Sequence, residues 1–394
     1  MIPPSLRIVL VFNEAPLPDG NAAAKWYYVL LKGLVERGHR VTSFISCDAQ
    51  QERDLLKYFP SANYDLRVFR RATRSGLIGK IKTIRRPYSY LFSTEFETNL
   101  TKELALGFDV LHLESLWSGW VGLNFSERSL INFHFLHHID SSKSRVLGLR
   151  NRLLDKVTKR SEYYLLNCYN HIATVSSRLS QSAKHINPSA HVHIIPIALE
   201  LSRYPFEKNK ERPKEFVVGL VGSFNWRPSY WAGHRLIEKL WPTIKSKIPQ
   251  ATLKLVGWNA KQAFLPFIND PSISIVEDVS DIQPHFTEIS VFLFPLETGS
   301  GMKVKLLEAF ALGVPVVTTP EGIEGLPVVD GMHAGVSDDN EGLVQRVIEL
   351  YNDREKWNRY RHAARELVQS HCSSERAMLC LEHAYLQILH NKVI

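Results

Sequence analysis

Short runs of apolar residues alternate along the chain with segments in which apolar residues recur every three or four positions. The run at residues 7–12 is almost uninterrupted, which is typical of a strand buried on both faces of a parallel sheet. The segment that follows it carries Trp26, Val29, Leu30 and Leu34 at the spacing of one helix face. Repetition of this strand–helix order predicts an α/β protein whose parallel sheets are covered by helices on both faces.

The predicted strands fall into two groups, separated by a charged, proline-containing stretch at residues 201–214 that we interpret as a linker. Strands are expected at 7–12, 41–45, 110–113, 130–135, 172–175 and 193–195, and then at 216–222, 253–257, 273–276, 291–295 and 314–318. Single cores usually stop growing near about 250–300 residues. We therefore expect the 394 residues to form two doubly wound, Rossmann-like domains, 1–205 and 206–370, facing each other across a cleft, with a helix at 371–394 that can pack back on the first domain.

Composition excludes several classes of protein. Hydrophobic residues make up 44% and charged residues 22% of the chain, as in ordinary folded domains rather than disordered ones. No apolar stretch approaches the ~18 residues that a membrane-spanning helix needs, and the first apolar run lacks the basic start and cleavage site of a signal peptide. The four cysteines are scattered without metal-type spacing, which favours a cytoplasmic protein.

The net charge of +8 is unevenly distributed. Residues 1–205 hold 27 Lys and Arg against 17 Asp and Glu, a net charge of +10, whereas residues 206–394 hold 21 against 23, a net charge of −2. An excess confined to one half indicates that this half meets something anionic, such as a membrane surface, a nucleic acid or a phosphorylated substrate.

Candidate chemistry is concentrated at residues 294–326, where a predicted strand opens into a glycine-containing loop and then a helix. Gly299 and Gly301 allow the backbone of the loop to come close to a ligand. A helix that begins near Lys303 offers its free N–H groups and the positive end of its dipole to an anion such as a diphosphate. Each of these features, taken alone, is also compatible with ordinary turn chemistry and solvated surface lysines.

One turn further along the predicted helix, Glu308 lies among apolar residues. A carboxylate in apolar surroundings needs hydrogen-bond donors, which the two hydroxyls of a ribose would supply. An internal arginine or backbone N–H group could supply them as well. The strand, loop, lysines and carboxylate occur together and in this order, which favours nucleotide binding.

In this order and spacing the segment resembles the donor-nucleotide signature of GT-B glycosyltransferases, in particular the retaining glycosyltransferase family 4 (glycosyl transferases group 1). That family carries a Glu–seven residues–Glu motif followed by Gly-x-Pro-Val-Val. Glu308 matches the second Glu, and Gly313 begins the downstream match, whereas Ser300 stands at the position of the first Glu. A branch of the family with Gly-Ser-Gly-Met-Lys-x-Lys is the closer match. The resemblance implies that Glu308 binds the ribose and that Lys303 contacts the diphosphate.

The resemblance extends over most of the chain. Residues 218–228 resemble the strand and glycine turn that open the family's nucleotide domain, although Ser223 stands at the usual Arg position and Arg227 lies near the usual Lys. Asp278 and Val279 resemble the turn whose backbone holds the base. The donor-binding residues implied in this way are Gly20, Gly222, Arg227, Val279, Gly299, Ser300, Gly301, Met302, Lys303, Lys305 and Glu308.

In the first half, Gly20 and Asn21 stand where the family's glycine-rich loop approaches the donor and the acceptor. Residues 136–140 resemble the family's His-Asn-x-Glu turn, which makes His137 the candidate active-site histidine, with His138 as the competing assignment. The resemblance therefore implies a catalytic set of His137, Lys303 and Glu308.

Eight basic residues and no acidic ones lie between Arg67 and Arg86, and apolar residues at 77, 81 and 84 share a helical face. A basic amphipathic helix of this kind can lie in an anionic membrane interface, and the alternative is a solvated face whose apolar side packs on the domain. A second basic cluster spans residues 143–160. We assign Arg70, Arg71, Arg85 and Arg86, together with Asn21, to the acceptor or membrane side. Neither cluster resembles a nucleic-acid-binding module.

The sequence thus predicts a retaining glycosyltransferase that moves a sugar from a nucleoside diphosphate sugar, with UDP favoured, to a hydroxyl of a lipid-linked or glycan intermediate of polysaccharide biosynthesis. No cofactor and no obligatory metal are expected, since GT-B enzymes hold the diphosphate with protein groups. The protein is expected in the cytoplasm, peripheral on the inner face of the membrane. The alternatives are another GT-B reaction, either inverting transfer or nucleotide-sugar epimerisation, and a non-catalytic protein that binds a polyanion or a membrane surface.

Overall fold

A computed structural model describes residues 5–60, 63–71, 83–140, 149–277, 279 and 281–390. The chain forms two compact units, which we call unit 1 (Met1–Ala198 with Ser374–Ile394) and unit 2 (Leu199–Ser373). The chain therefore passes between the units at 198/199 and at 373/374, where the sequence suggested 205/206 and 370/371.

Unit 1 contains a sheet of seven parallel strands in the order β3-β2-β1-β4-β5-β6-β7. The strands are β1 Arg7–Phe12, β2 Arg40–Cys47, β3 Asp65–Arg70, β4 Val110–Glu114, β5 Ser129–Phe133, β6 His171–Thr174 and β7 His191–Ile194. The strand order reverses between β1 and β4, and open α/β sheets bind ligands outside the carboxyl ends of their strands at such a reversal.

The helices of unit 1 are Ala22–Glu36, Ala49–Tyr58, Thr94–Ala105, Gly119–Gly122, His137–Asp140, Leu149–Cys168, Ser177–Ile186 and Ser374–His390, with 3₁₀ turns at Ser89–Leu91, Leu116–Ser118 and Leu123–Arg128. Side-chain oxygens of Asn21, Asp48, Ser93 and Ser176 accept hydrogen bonds from backbone N–H groups in the first turn of four of these helices.

The last of these helices, Ser374–His390, packs against the first, Ala22–Glu36. A Cβ atom on Gly33 would lie 2.8 Å from the sulfur of Met378, so only glycine allows the two helices to approach this closely. At the end of the first helix, Arg37 Nε lies 2.5 Å from Glu382 Oε1. These contacts make Ser374–His390 an integral part of unit 1.

Unit 2 contains a sheet of six parallel strands in the order β10-β9-β8-β11-β12-β13. The strands are β8 Val217–Val221, β9 Thr252–Val256, β10 Ile273–Val276, β11 Val291–Phe294, β12 Val316–Thr318 and β13 Gly335–Val336. The helices are Arg227–Arg235, Trp241–Lys247, Ala260–Ala263, Gln283–Glu288, Val304–Leu312, Asn340–Asn352 and Arg354–His371, with a π-helical segment at Leu236–Leu240 and 3₁₀ turns at Leu201–Arg203 and Leu265–Phe267. Two parallel, doubly wound sheets confirm the predicted fold class.

The stretch at 201–214, interpreted from its charge and prolines as a linker, is bonded to the rest of unit 2. The fully buried guanidinium of Arg361 donates to the carbonyl oxygens of Glu207 (2.5 Å), Lys210 (3.0 Å) and Gly313 (3.0 Å). The guanidinium lies 5.4 Å from the ring centroid of Phe206 and therefore fixes this stretch against the end of Val304–Leu312.

Of the basic residues between Arg67 and Arg86, Arg67 and Arg70 lie on strand β3 and not on the predicted basic helix, and two positions of its apolar face, 77 and 81, lie outside the described residues. β3 is an edge strand with an exposed, polar face, so its alternating pattern does not resemble a buried strand. Arg74, Lys80 and Lys82 lie outside the described residues. Within the described ranges, none of the helices is both long enough and apolar enough to cross a membrane.

Candidate functional site

The loop after β11 in unit 2 has a backbone that requires glycine at two positions. Gly299 has a φ of +137° and Gly301 a φ of +74°, both in the left-handed region that side chains disfavour. Ser300 and Lys303 are buried, with relative exposures of 3% and 4%, and the Lys303 ammonium donates to the carbonyl oxygen of Gly301. The loop is therefore folded tightly around the start of the next helix.

The helix Val304–Leu312 begins directly after this loop, with Lys303 as its N-cap, and the side chain of Lys303 makes no capping hydrogen bond. Met302 and Val304 are buried beside it. A helix start with N–H groups that no side chain caps, next to lysines, is suited to hold an anion.

Lys305, on the first turn of this helix, extends into the space beneath the glycine turn that follows β8. Its Nζ atom donates to Ser229 Oγ at 2.7 Å and lies 4.7 Å from the ring centroid of Phe294 and 5.4 Å from that of Trp226. A Cβ atom on Gly222 would lie 2.4 Å from Nζ, so glycine at this turn makes room for the ammonium. Burial lowers the pKa of Lys305 to about 7, an effect that the nearby Glu308 partly opposes and Lys303 reinforces.

The ends of β8 and β9 meet at the same place. The N–H of Gly222 donates to the carbonyl oxygen of Val256 at 2.9 Å. Gly257 has a φ of +137°, and a Cβ atom there would lie 1.9 Å from the carbonyl oxygen of Gly222. The two glycines thus keep side chains away from the carboxyl edge of the sheet.

Two further polar atoms at this edge are buried without a hydrogen-bond partner among the described residues. One is Nη1 of Arg227, the first residue of the helix Arg227–Arg235, and the other is Oγ1 of Thr319, which directly follows β12. Because a buried donor without a partner costs free energy, the guanidinium of Arg227 is suited to an anionic ligand.

Glu308 lies on the second turn of Val304–Leu312 and is 4% exposed. Its Oε1 accepts a hydrogen bond of 3.0 Å from the hydroxyl of Tyr204, which is also buried. Tyr204 therefore orients the carboxylate of Glu308, which the sequence predicts to bind a ribose.

Val279, predicted to contact the base, is half-buried in the loop after β10, and Asp278 lies outside the described residues. The structure thus places Lys305 and Glu308 on one helix whose N-cap is Lys303, with Gly222, Gly299 and Gly301 beside it.

At the carboxyl edge of the unit 1 sheet, a fully buried carboxylate stands among nitrogen atoms. Glu114 Oε1 accepts from Trp26 Nε1 at 3.1 Å and from Asn132 Nδ2 at 3.0 Å, and it lies 3.0 Å from His112 Nε2. Glu114 Oε2 lies 3.2 Å from Nε2 of His134. Burial alone would raise the pKa of Glu114, but the two neighbouring histidines, His112 and His134, lower it well below its ordinary value. Glu114 is therefore ionised at neutral pH.

Glu14, just after β1, lies near His134, which also contacts Glu114. Its Oε2 accepts from Asn21 Nδ2 at 2.6 Å, and burial raises its pKa against the opposing charges of Arg71 and His134. Asn21 also caps the helix Ala22–Glu36, and a Cβ atom on Gly20 would lie 2.5 Å from the Cβ atom of Ala24. Gly20 and Asn21 thus shape the start of this helix at the sheet edge.

His137 begins the short helix His137–Asp140. Its backbone N–H donates to Glu162 Oε1 at 2.6 Å, and its ring Nε2 lies 3.3 Å from Asp155 Oδ1. The ring of His138 pairs with Glu162 Oε2 at 2.7 Å. The role of His137 stays a prediction, whereas His134 is the histidine that directly follows β5.

The four arginines assigned to the acceptor or membrane side differ in their surroundings. Arg70 is paired with Glu52, and Arg71 is half-buried and donates to the carbonyl oxygen of Asn13 at 3.2 Å. Arg85 and Arg86 are exposed, and Arg86 lies 5.6 Å from the ring centroid of Trp120. Only the last two present their charge to solvent without a carboxylate partner among the described residues.

Sequence reasoning missed Glu114, His134, Tyr204 and Trp226. His134 could have been found, because it follows a predicted strand and polar residues at strand ends gather at one edge of a parallel sheet. The other three depend on contacts between distant segments, and nothing in their local sequence indicates such contacts.

Two family models match the chain in succession. Residues 23–203 match the model for glycosyltransferase family 4, and residues 215–353 match a model for glycosyl transferases group 1. No curated protein sequence matches the chain significantly.

Several solved structures share the fold over nearly their whole length. Sucrose-phosphate synthase from Thermosynechococcus elongatus is 17% identical, with a TM-score of 0.71 and coverage of 98% of this chain and 100% of that one. HepE from Anabaena, in complex with UDP and glucose, is 14% identical, with a TM-score of 0.67 and coverage of 97% and 100%. TarM from S. aureus, in complex with fondaparinux, α-GlcNAc-glycerol and UDP, is 8% identical, with a TM-score of 0.68 and coverage of 96% and 100%.

The two family matches cover both predicted domains, and the structural neighbours share both sheets. With the glycine turns, the lysines and Glu308 arranged around one helix start, they lead to a single conclusion: the chain belongs to the group 1 glycosyltransferases of GT-B fold.

Proposed function

We propose that unit 2 binds the donor, a nucleoside diphosphate sugar with UDP as its nucleotide, and that unit 1 binds a hydroxyl acceptor. The observation that carries the donor assignment is the cationic site at the carboxyl edge of the unit 2 sheet. There Lys305 has no carboxylate within ion-pair distance among the described residues, and Arg227 has a buried nitrogen atom without a hydrogen-bond partner. A diphosphate would supply the missing negative charge.

In this proposal the N–H groups at the start of Val304–Leu312, together with Lys303 and Lys305, stabilise the diphosphate as the bond to the sugar breaks. Such fixed donors, aimed at developing charge, usually account for the largest part of catalysis. Protein cations then do the work for which other enzymes use a metal. HepE, which shares the fold and was crystallised with UDP, supports UDP as the nucleotide.

A thermal-shift series with UDP, GDP, ADP and dTDP tests the donor assignment. A ligand present at 100 times its Kd stabilises the native state by about 2.7 kcal/mol, so UDP should raise the Tm by several degrees. Stabilisation by a different nucleotide would replace UDP in the proposal. Absence of a shift with all four would contradict donor binding.

We further propose that the anomeric configuration of the sugar is retained, as the resemblance to family 4 implies. Proton NMR of the product formed from an α-linked donor tests this step, because an α-linked product means retention. A β-linked product would instead favour inverting transfer, for which the contact between His134 and Glu114 offers a base for the acceptor proton.

The acceptor in this proposal is a glycan or a lipid-linked intermediate carried by an anionic membrane. Its support is the net charge of +10 in residues 1–205 and the exposure of Arg85 and Arg86. Each basic group near an anionic surface contributes about 1 kcal/mol.

Replacing both Arg85 and Arg86 with Ser should therefore reduce co-sedimentation with vesicles of anionic phospholipid by about 10- to 30-fold. Arg70 and Arg71 are kept in this variant because they have partners within unit 1. The matched control replaces Lys208 and Lys214, two exposed lysines of unit 2, with Ser. Equal losses in both variants, or no loss in either, would contradict a specific membrane-facing surface.

A further inference from the structure

Among the described residues, Lys305 has no carboxylate within ion-pair distance, in contrast to two other half-buried lysines of unit 2, Lys254 and Lys356. Lys254 pairs with Glu288, and Lys356 Nζ lies 2.6 Å from Glu349 Oε2. The ammonium of Lys305 instead has one neutral hydrogen-bond partner, the hydroxyl of Ser229, and two aromatic rings. Aromatic faces attract a cation, but they do not replace the water that burial removes.

Within the described part of the chain, the charged groups that act on Lys305 lie on its own helix and at the N-cap of that helix. Glu308, one turn further on, favours the charged form of the amine, whereas Lys303 opposes it. The segments packed against Nζ contribute Gly222, Trp226 and Ser229 on one side and Phe294 on the other, none of which carries a charge. Desolvation outweighs the attraction of Glu308 and brings the pKa of Lys305 to about 7.

We propose that Lys305 loses its proton in part when the donor site is empty and takes up one proton when the diphosphate of the donor binds. This inference rests on the proposed donor site and adds a proton to the binding reaction. The step is balanced: the proton comes from solvent, binds the neutral amine and gives an ammonium whose positive charge faces the diphosphate. Lys305 is then a residue that contacts the substrate and that stabilises the leaving group only in its protonated form.

The sign of the pH dependence follows from linkage. A diphosphate a few ångströms away stabilises the ammonium, so Lys305 binds more protons in the complex than in the empty protein. Affinity for the nucleotide therefore falls as the pH rises above about 7. Between pH 7 and pH 8 the Kd for UDP should increase about fivefold, and between pH 7 and pH 9 about 50-fold, as long as the complex keeps its proton.

Proton uptake can be measured directly by calorimetric titration of the full chain with UDP at pH 8. The titration is repeated in Tris and in HEPES, whose ionisation enthalpies differ, and the dependence of the observed heat on that enthalpy gives the number of protons bound. We expect close to one proton per UDP. Binding of UDP with no proton uptake would overturn the proposal and leave the donor site intact, whereas absence of UDP binding would contradict the donor site itself.

A charge-matched variant identifies the residue responsible. Lys305→Arg stays charged at every pH used, so it should bind UDP without proton uptake and with an affinity that is constant between pH 7 and pH 9. Lys254→Arg, outside the site, should keep the uptake of the parent protein. Full uptake in Lys305→Arg would assign the proton to another group and overturn the proposal.

Gly222→Ala gives a second variant in case arginine does not fit the site. The φ of Gly222 is not in the left-handed region, so alanine can adopt this backbone, but its Cβ atom would displace the ammonium of Lys305. We expect weaker UDP binding and less than half of the proton uptake of the parent protein, with an unchanged circular-dichroism spectrum. Unchanged uptake in this variant would also contradict the proposal.

Discussion

Replacing Glu308 with Ala is expected to weaken the binding of UDP by about 10- to 100-fold. A hydrogen bond to a charged group contributes about 1.5–3 kcal/mol, which corresponds to this range. Glu308 is buried and is oriented by the hydroxyl of Tyr204, so its carboxylate is already held in one orientation in the parent protein. The conformational entropy of this side chain is thus already lost before the ligand binds, so ordering it does not weaken binding.

Calorimetric titration with UDP measures this change, and two variants serve as references. Glu341→Ala removes an exposed carboxylate from the surface of the same unit and should leave the affinity unchanged. Tyr204→Phe keeps the carboxylate but removes the bond that orients it, so a smaller loss, of about threefold to tenfold, is expected. Near-unchanged affinity in Glu308→Ala would refute the assignment of Glu308 to the donor.

Replacing Arg361 with Ala should lower the free energy of unfolding of unit 2 by about 3–5 kcal/mol. The variant removes the guanidinium that donates to three backbone carbonyl oxygens and opens a cavity between Phe206 and Trp357, whose ring centroids lie 5.4 Å and 4.8 Å from the guanidinium. Since Tyr204 belongs to the stretch that Arg361 fixes, the affinity for UDP should fall as well.

Denaturant unfolding followed by tryptophan fluorescence measures the loss. Arg359→Ala, which removes an exposed arginine from the same helix, Arg354–His371, is the matched control and should change stability by less than about 0.5 kcal/mol. Equal stability of the Arg361 and Arg359 variants would show that the segment at 201–214 is held by other contacts.

The buried strands were predictable because strands covered on both faces consist of almost uninterrupted apolar residues, as at Arg7–Phe12 and Val291–Phe294. Strand β3 was not, because it lies at the edge of the sheet and exposes Arg67 and Arg70. The charged stretch at 201–214 was interpreted as a linker because its polar residues resemble solvent-exposed chain. Backbone carbonyl oxygens that accept from Arg361 leave no trace in the local sequence.

In the candidate site, too, the parts that are local in sequence were predictable and the contacts between distant residues were not. The loop with Gly299 and Gly301 and the helix with Glu308 form one continuous segment. Their relative positions could therefore be predicted from their order in the sequence. The partner of Glu308, Tyr204, is 104 residues away. Trp26, which donates to Glu114, is 88 residues away. Pairings at such separations are set by the sheet order and by packing, which the apolar pattern does not specify.

The position of Ser374–His390 in unit 1 has a consequence for the order in which the protein is completed on the ribosome. Met378, which packs against Gly33, and Glu382, which pairs with Arg37, are synthesised only after the whole of unit 2. Until then the first helix lacks both contacts. Unit 2 has every one of its strands before that moment, so it can mature while unit 1 still shows an apolar helix face to solvent. Unit 2 can thus complete its fold before unit 1, whose packing is finished only when Ser374–His390 docks on the first helix.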